Sequence, residues 1–125
     1  MRWLNELEFV EGRVWANVWQ TECVAQIDPA SGRVQAWVDF AGIRSKMLQS
    51  AAAAAGAGDG GGPRPDVFNG IAWDGEGRRL WVTGKYWPVV YQVELVPAEA
   101  GAGEGAAAAL SALRSRCIVN RAGGR

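Results

Sequence analysis

The chain has 125 residues, with 13 basic and 13 acidic side chains and a pI near 6.3, so no net field draws it toward nucleic acid or an anionic membrane. It contains no His, which removes every His-based metal site, catalytic triad and proton shuttle from this stretch. The 49% apolar content overstates the material for a core, because residues 51–62 (AAAAAGAGDGGG) and 97–109 (PAEAGAGEGAAAA) offer little side-chain area to bury. What remains is near the size, roughly 70–80 residues, at which a single core is only marginally stabilising.

The N-terminus, MRWLNELEFV, carries one Arg and then acidic residues rather than an uninterrupted apolar run, so it reads as neither a signal peptide nor a membrane span. Structured sequence is expected from Leu4. From there to Phe40, short runs rich in β-branched and aromatic residues alternate with turn chemistry: LNELEFV, RVWANVWQT, CVAQID and RVQAWVDF, separated by EG and PASG. In the second run Val14, Ala16 and Val18 alternate with Trp15, Asn17 and Trp19. That spacing predicts a strand with an aliphatic face and a Trp-Asn-Trp face, both at least partly covered.

A low-complexity insert is expected at about 47–64, and the DGGG within it is not a phosphate loop, since no GK[ST] follows. Beyond it, residues 66–96 repeat the arrangement, with DGEG as the first turn and Leu80, Val82, Gly84 and Tyr86 alternating with Trp81, Thr83, Lys85 and Trp87. Asn5 aligns with Asn69 at an offset of 64, and Val14, Trp15 and Gln26 align with Leu80, Trp81 and Gln92 at an offset of 66. Strand-turn-strand units repeated on this scale predict β-propeller blades over 4–40 and 66–96. Two blades do not close a ring, so the chain reads as the C-terminal part of a larger domain, an all-β partial propeller over 1–96 followed by a disordered Ala/Gly/Arg-rich tail over 97–125. At the same offset Trp19 aligns with Lys85. A Trp in one blade and a Lys at the equivalent place in the next is a candidate for function rather than packing.

Two Cys, Cys23 and Cys117, do not make a disulfide-dense scaffold, and the second lies in the low-complexity tail, so the sequence leaves the redox compartment open. Asp28, Asp39 and Asp74 each end an apolar run beside a turn, where Asp ordinarily caps backbone groups rather than acting as an acid or base. Trp15, Trp37, Trp73 and Trp81 are expected to pack between blades.

The segments LNELEFVEGRVWANVWQT, CVAQIDPASG, FNGIAWD and LWVTGKYWP together resemble the plant-type glutaminyl-peptide cyclotransferases, the glutamine cyclotransferase family, over about residues 4–96. The resemblance implies a five-bladed propeller enzyme, an aminoacyltransferase that converts the N-terminal glutaminyl residue of a peptide or protein to pyroglutamate with release of ammonia. It implies a secretory or extracellular location and a peptide or protein substrate with N-terminal Gln, while the balanced charge leads us to expect no nucleic-acid or membrane partner. The chemistry is an intramolecular aminolysis that requires no cofactor; a structural divalent cation in the channel is conceivable for the fold, with no residue in this sequence to support it. The absence of His argues against the zinc-dependent animal type of glutaminyl cyclase.

Carried across by motif, the resemblance places the family's site Asn on Asn5 in LNELE, its pocket Trp on Trp19 in ANVWQT and its catalytic Lys on Lys85 in TGKYW. Trp87, at the Lys85 level, is expected as a second pocket wall whose ring partly desolvates the Lys. The plainer readings are a Lys that snorkels over Trp surface and an Asn that closes a strand edge, and Asn69 as the repeat of Asn5 speaks for the latter. A Glu that the family draws from an earlier blade has no counterpart here. The competing function is a non-catalytic interaction module whose exposed blade edges recruit a partner's strand.

Overall fold

The structure is a computed structural model and describes residues 3–55, 62–98 and 104–118. Its strands are β1 (Leu4–Val10), β2 (Arg13–Val18), β3 (Cys23–Ile27), β4 (Val34–Asp39), β5 (Phe68–Asp74), β6 (Arg79–Gly84) and β7 (Tyr91–Val93). They form two antiparallel sheets, ordered β1-β2-β3-β4 and β5-β6-β7. Each strand is followed by its neighbour through a short turn, as the turn residues EG, PASG and DGEG require. Helix α1 (Ile43–Ala55) joins the sheets, and α2 (Glu104–Cys117) follows the second.

The face of β2 that carries Trp15 and Asn17 meets the second sheet. Trp15 and Val24 from the first sheet are buried in one cluster with Phe68, Ile71, Leu80 and Val82 from the second, while Trp73 packs against its edge. Trp37 and Trp81 are half-buried on the faces turned away from this interface, because Trp37 pairs with Ala25 and Trp81 with Ala72, one residue out of phase with the core positions.

β1 and β5 lie side by side in the same sense. The Trp73 amide donates to Glu8 Oε1 (2.9 Å), the Gly70 amide to Asn17 Oδ1 (3.1 Å) and the Glu6 amide to Asn69 Oδ1 (3.2 Å). Both strands carry a bulge at the same place. The register of β1 against β2 shifts between Leu4 and Leu7, putting Asn5-Glu6 opposite Asn17; that of β5 against β6 shifts between Phe68 and Ile71, putting Asn69-Gly70 opposite Thr83. A Cβ on Gly70 would stand 2.6 Å from Thr83 Cγ2, so glycine is what lets the second bulge close.

Two segments read as low-complexity each contain a helix. In α1, Ile43, Met47 and Ala51 recur at four-residue spacing on the side facing the core; Met47 is fully buried. Glu22 caps this helix from a distance, its carboxylate accepting from the Gly42 (2.8 Å) and Arg44 (2.8 Å) amides. The Ala run then extends the helix at the best intrinsic propensity. Residues 56–61 of the expected insert lie outside the described residues. In the expected tail, 104–117 form α2, and Cys117 is disulfide-bonded to Cys23 with a Cα–Cα distance of 5.5 Å. Both sulfurs are enclosed, at 1% exposure. Arg116 adds an ion pair to Asp39. Residues 119–125 lie outside the described residues.

Candidate active site

The register Leu4↔Val18, Cys23↔Asp39 and Phe68↔Gly84, with β1 beside β5, brings the start of β1, the end of β2, the start of β5 and the end of β6 to one rim. Asn5, Trp19, Asn69 and Lys85 are all on it. The opposite rim holds the turns at Glu11 and Arg78, joined by an ion pair of 2.6 Å.

On the site rim, Asn5 and Trp19 line one pocket of about 210 Å³ with Leu4 and Trp3. Trp3 was not anticipated. The Trp19 amide donates to the Trp3 carbonyl (2.8 Å), and the two indoles stand 5.5 Å apart at 33°. A tilted aromatic pair with an amide side chain at its mouth suits a flat amide ligand. The only trace of Trp3 in the sequence is its place two residues before the site Asn; it precedes the first strand, where alternation gives no guidance.

Lys85 follows β6 on the same rim, outside that pocket. Its backbone exchanges bonds with the segment leading into β5, Lys85 N to Val67 O (2.9 Å) and Asp66 N to Lys85 O (2.8 Å). The ammonium lies 3.6 Å from Asp66 Oδ2 and 5.2 Å from the centre of the Tyr86 ring, and the side chain is exposed. Between the Trp19 and Lys85 neighbourhoods runs a larger groove of about 480 Å³, with Gln20 and Glu22 on one wall, Asp66 and Phe68 on the other, and Arg44 and Arg116 along it.

Trp87 lines neither of these two pockets, and the Lys85 side chain stays exposed. After Gly84 the chain leaves the strand, Tyr86 takes a left-handed conformation (φ 60°) and Trp87 N closes a turn on Gly84 O (3.1 Å). The strand alternation that would put Lys85 and Trp87 side by side is therefore broken. The Trp87 ring is buried, its centre 6.0 Å from that of Phe68, and its Nε1 donates to Asp66 O (2.8 Å). Gly84 leaves the room, since a Cβ there would fall within the indole.

The aspartates act as turn caps. Asp28 accepts from Ala30 N and the Ser31 hydroxyl, and Asp74 from the Glu76 and Gly77 amides and from Arg79. The Ser31 hydroxyl holds the Asp28 carboxyl below its ordinary range; the Gly77 amide, with Arg79 second, does the same for Asp74. Asp39 accepts from Ala41 N (3.0 Å). Among the described residues, no three His, Cys, Asp or Glu side chains converge as a metal site.

Residues 1–95 match the family model described as glutamine cyclotransferase. A glutaminyl-peptide cyclotransferase of Arabidopsis thaliana is 43% identical over 103 residues, which is 82% of this chain and 29% of the relative. A crystal structure of Myxococcus xanthus glutaminyl cyclase is 33% identical and superimposes with a TM-score of 0.59, covering 78% of this chain and 38% of that one. The chain thus spans well under half the length of either protein.

Proposed function

The chain belongs to the glutamine cyclotransferase family, and from that premise we propose that it forms part of a glutaminyl-peptide cyclotransferase, its two sheets being neighbouring blades of a five-bladed propeller. The observation that carries the reading is the convergence of Asn5 and Trp19 on one pocket with Lys85 on the same rim.

In this reaction the free α-amine of an N-terminal Gln attacks its own side-chain amide carbon. The new C–N bond closes a five-membered lactam, the amide C–N bond breaks, and one proton passes from the attacking to the leaving nitrogen, which departs as ammonia. No electrons are exchanged and no cofactor is required. Trp19 and Trp3 flank the flat amide. Asn5 donates to the amide oxygen, and Lys85, on the same rim, supplies positive charge to that oxygen or takes part in proton transfer. The Glu that the family brings from an earlier blade has no equivalent in these residues and belongs to the remainder of such a ring. The enclosed Cys23–Cys117 disulfide supports a location in an oxidising compartment, such as the secretory pathway.

The test is ammonia release from a Gln-initiated peptide by the full protein and its Lys85→Ala variant. We expect kcat to fall by about 10²-fold or more with the unfolding midpoint nearly unchanged, because the side chain is exposed. Equal rates would remove Lys85 from the mechanism. The interaction-module reading draws on Leu7 and Phe9, which are 53% and 63% exposed on β1. A full protein that binds strands through that face and turns over no Gln-initiated peptide would favour it.

A further inference from the structure

The two bulges are held by each other's sheets. In β1 the second bulge residue is Glu6, and its amide donates to Asn69 of β5; in β5 it is Gly70, and its amide donates to Asn17 of β2. These are the places where a bulge strands an N–H that the ladder would otherwise pair. Each Asn therefore fixes a peptide plane next to another Asn. Asn17 anchors the plane between Asn69 and Gly70, and with it the origin of the Asn69 side chain; Asn69 anchors the plane between Asn5 and Glu6, and with it the origin of the Asn5 side chain. Asn17 is also two residues from Trp19, on the strand that faces the Asn5 bulge.

Asn17 is costly where it stands. It is fully buried, and its Nδ2 has no hydrogen-bond partner. An apolar side chain of that size would avoid stranding a donor. What such a residue would lose is the acceptor for Gly70. At the equivalent position the second sheet has Thr83, whose hydroxyl donates to the Val89 carbonyl (2.7 Å).

We propose that Asn17 and Asn69 are positioning residues for the cyclisation site: an amide relay, Asn17 to Asn69 to Asn5, that sets where the Asn5 carboxamide stands relative to Trp19. The proposal rests on the cyclotransferase reading for its catalytic consequence, while the relay itself is a matter of two hydrogen bonds. It explains why Asn recurs at the mouth of both sheets. Asn5 meets the pocket, and its repeat Asn69 holds Asn5 in place.

The experiment uses the full protein with Asn69→Ala, Asn69→Asp and Asn17→Ala, reading amide hydrogen exchange at Glu6 and Gly70 beside kcat and KM on a Gln-initiated peptide. Asn69 is only partly buried, so its variants fold even if Asn17→Ala does not. Expected results are fast exchange at Glu6 in Asn69→Ala and a kcat lower by about 10- to 100-fold, the scale of a misplaced catalytic group, with KM changed less than threefold. Asn69→Asp, which keeps an acceptor oxygen, restores Glu6 protection and recovers at least tenfold of any 100-fold loss. Asn17→Ala exposes the Gly70 amide, and combined with Asn69→Ala it lowers kcat by less than the product of the two single effects. A Glu6 amide that already exchanges freely in the wild type overturns the relay. Fast exchange in Asn69→Ala with kcat within twofold of an active wild type overturns its positioning role. A wild type inert toward the peptide removes the cyclotransferase reading and the catalytic consequence together, and the exchange data then stand alone on the two bonds.

Discussion

The two sheets share a frame and differ at its rim. Trp19 and Lys85 occupy equivalent positions, and each is followed by a non-glycine residue in the left-handed region, Gln20 at φ 64° and Tyr86 at φ 60°. Such residues cost of order 1 kcal/mol each, and here both turn the chain sharply just after the side chain of interest. One position earlier the sheets diverge. Val18 is buried in the first sheet, whereas Gly84 in the second vacates the space that Trp87 fills. The backbone thus repeats the device that presents a rim side chain, and the side chains decide whether it presents an indole to a pocket or an ammonium to solvent.

The largest expected effect tests whether the first sheet depends on its covalent tie. The disulfide links residues 94 apart, and replacing both Cys23 and Cys117 by Ser should lower stability by roughly 3–5 kcal/mol. Urea unfolding would show it, with hydrogen exchange rising in β3 before β6. Equal loosening of both sheets would mean that they unfold as one unit. Next comes the transplant of the first sheet's residue into the second. Gly84→Val should cost about 1–3 kcal/mol by unseating Trp87, read as a shift in the urea midpoint with a rise in Trp fluorescence exposure. A Val tolerated there as at position 18 would show the sheets interchangeable at this point.

The smallest effect concerns the far turns, where the sheets are alike. Asp28 and Asp74 both have pKa values lowered from 3.8 in the folded state, so the stability they contribute is present above that value and is lost as pH falls through the lowered one. Asp74→Asn should be slightly less stable than the wild type at neutral pH and should lose less on acidification. Unfolding midpoints at pH 6 and pH 2.5 would measure the difference, and an identical acid loss would remove Asp74 from that limb.

The strands and the doubling are legible because period-two alternation and turn chemistry survive in short sequences, whereas the Asn5–Trp19 pair comes from the family resemblance of LNELE and ANVWQT. What escaped was set by contacts distant in sequence. Met47 is a core residue on a helix whose start is capped by Glu22, twenty residues before the Gly42 amide. Trp87 is buried because one left-handed residue, Tyr86, reverses an alternation that the sequence displays cleanly. Cys117 looked unconstrained amid Ala and Arg, yet its partner lies in the first sheet. In the sequence Asn69 is only the repeat that favours a strand-edge reading of Asn5; the backbone group it satisfies belongs to the other sheet's bulge.

The Cys23–Cys117 bond has a topological consequence. Everything from β3 to α2, including the whole second sheet and the junction at α1, lies inside one covalent loop whose two ends meet beneath the site groove. A peptide bond broken anywhere within that loop leaves one molecule rather than two. Cys23 begins two residues after Thr21 and Cys117 follows Arg116, both on the groove wall. The groove is therefore edged by the loop's closure, so a cut inside the loop leaves both pieces tied together at this wall.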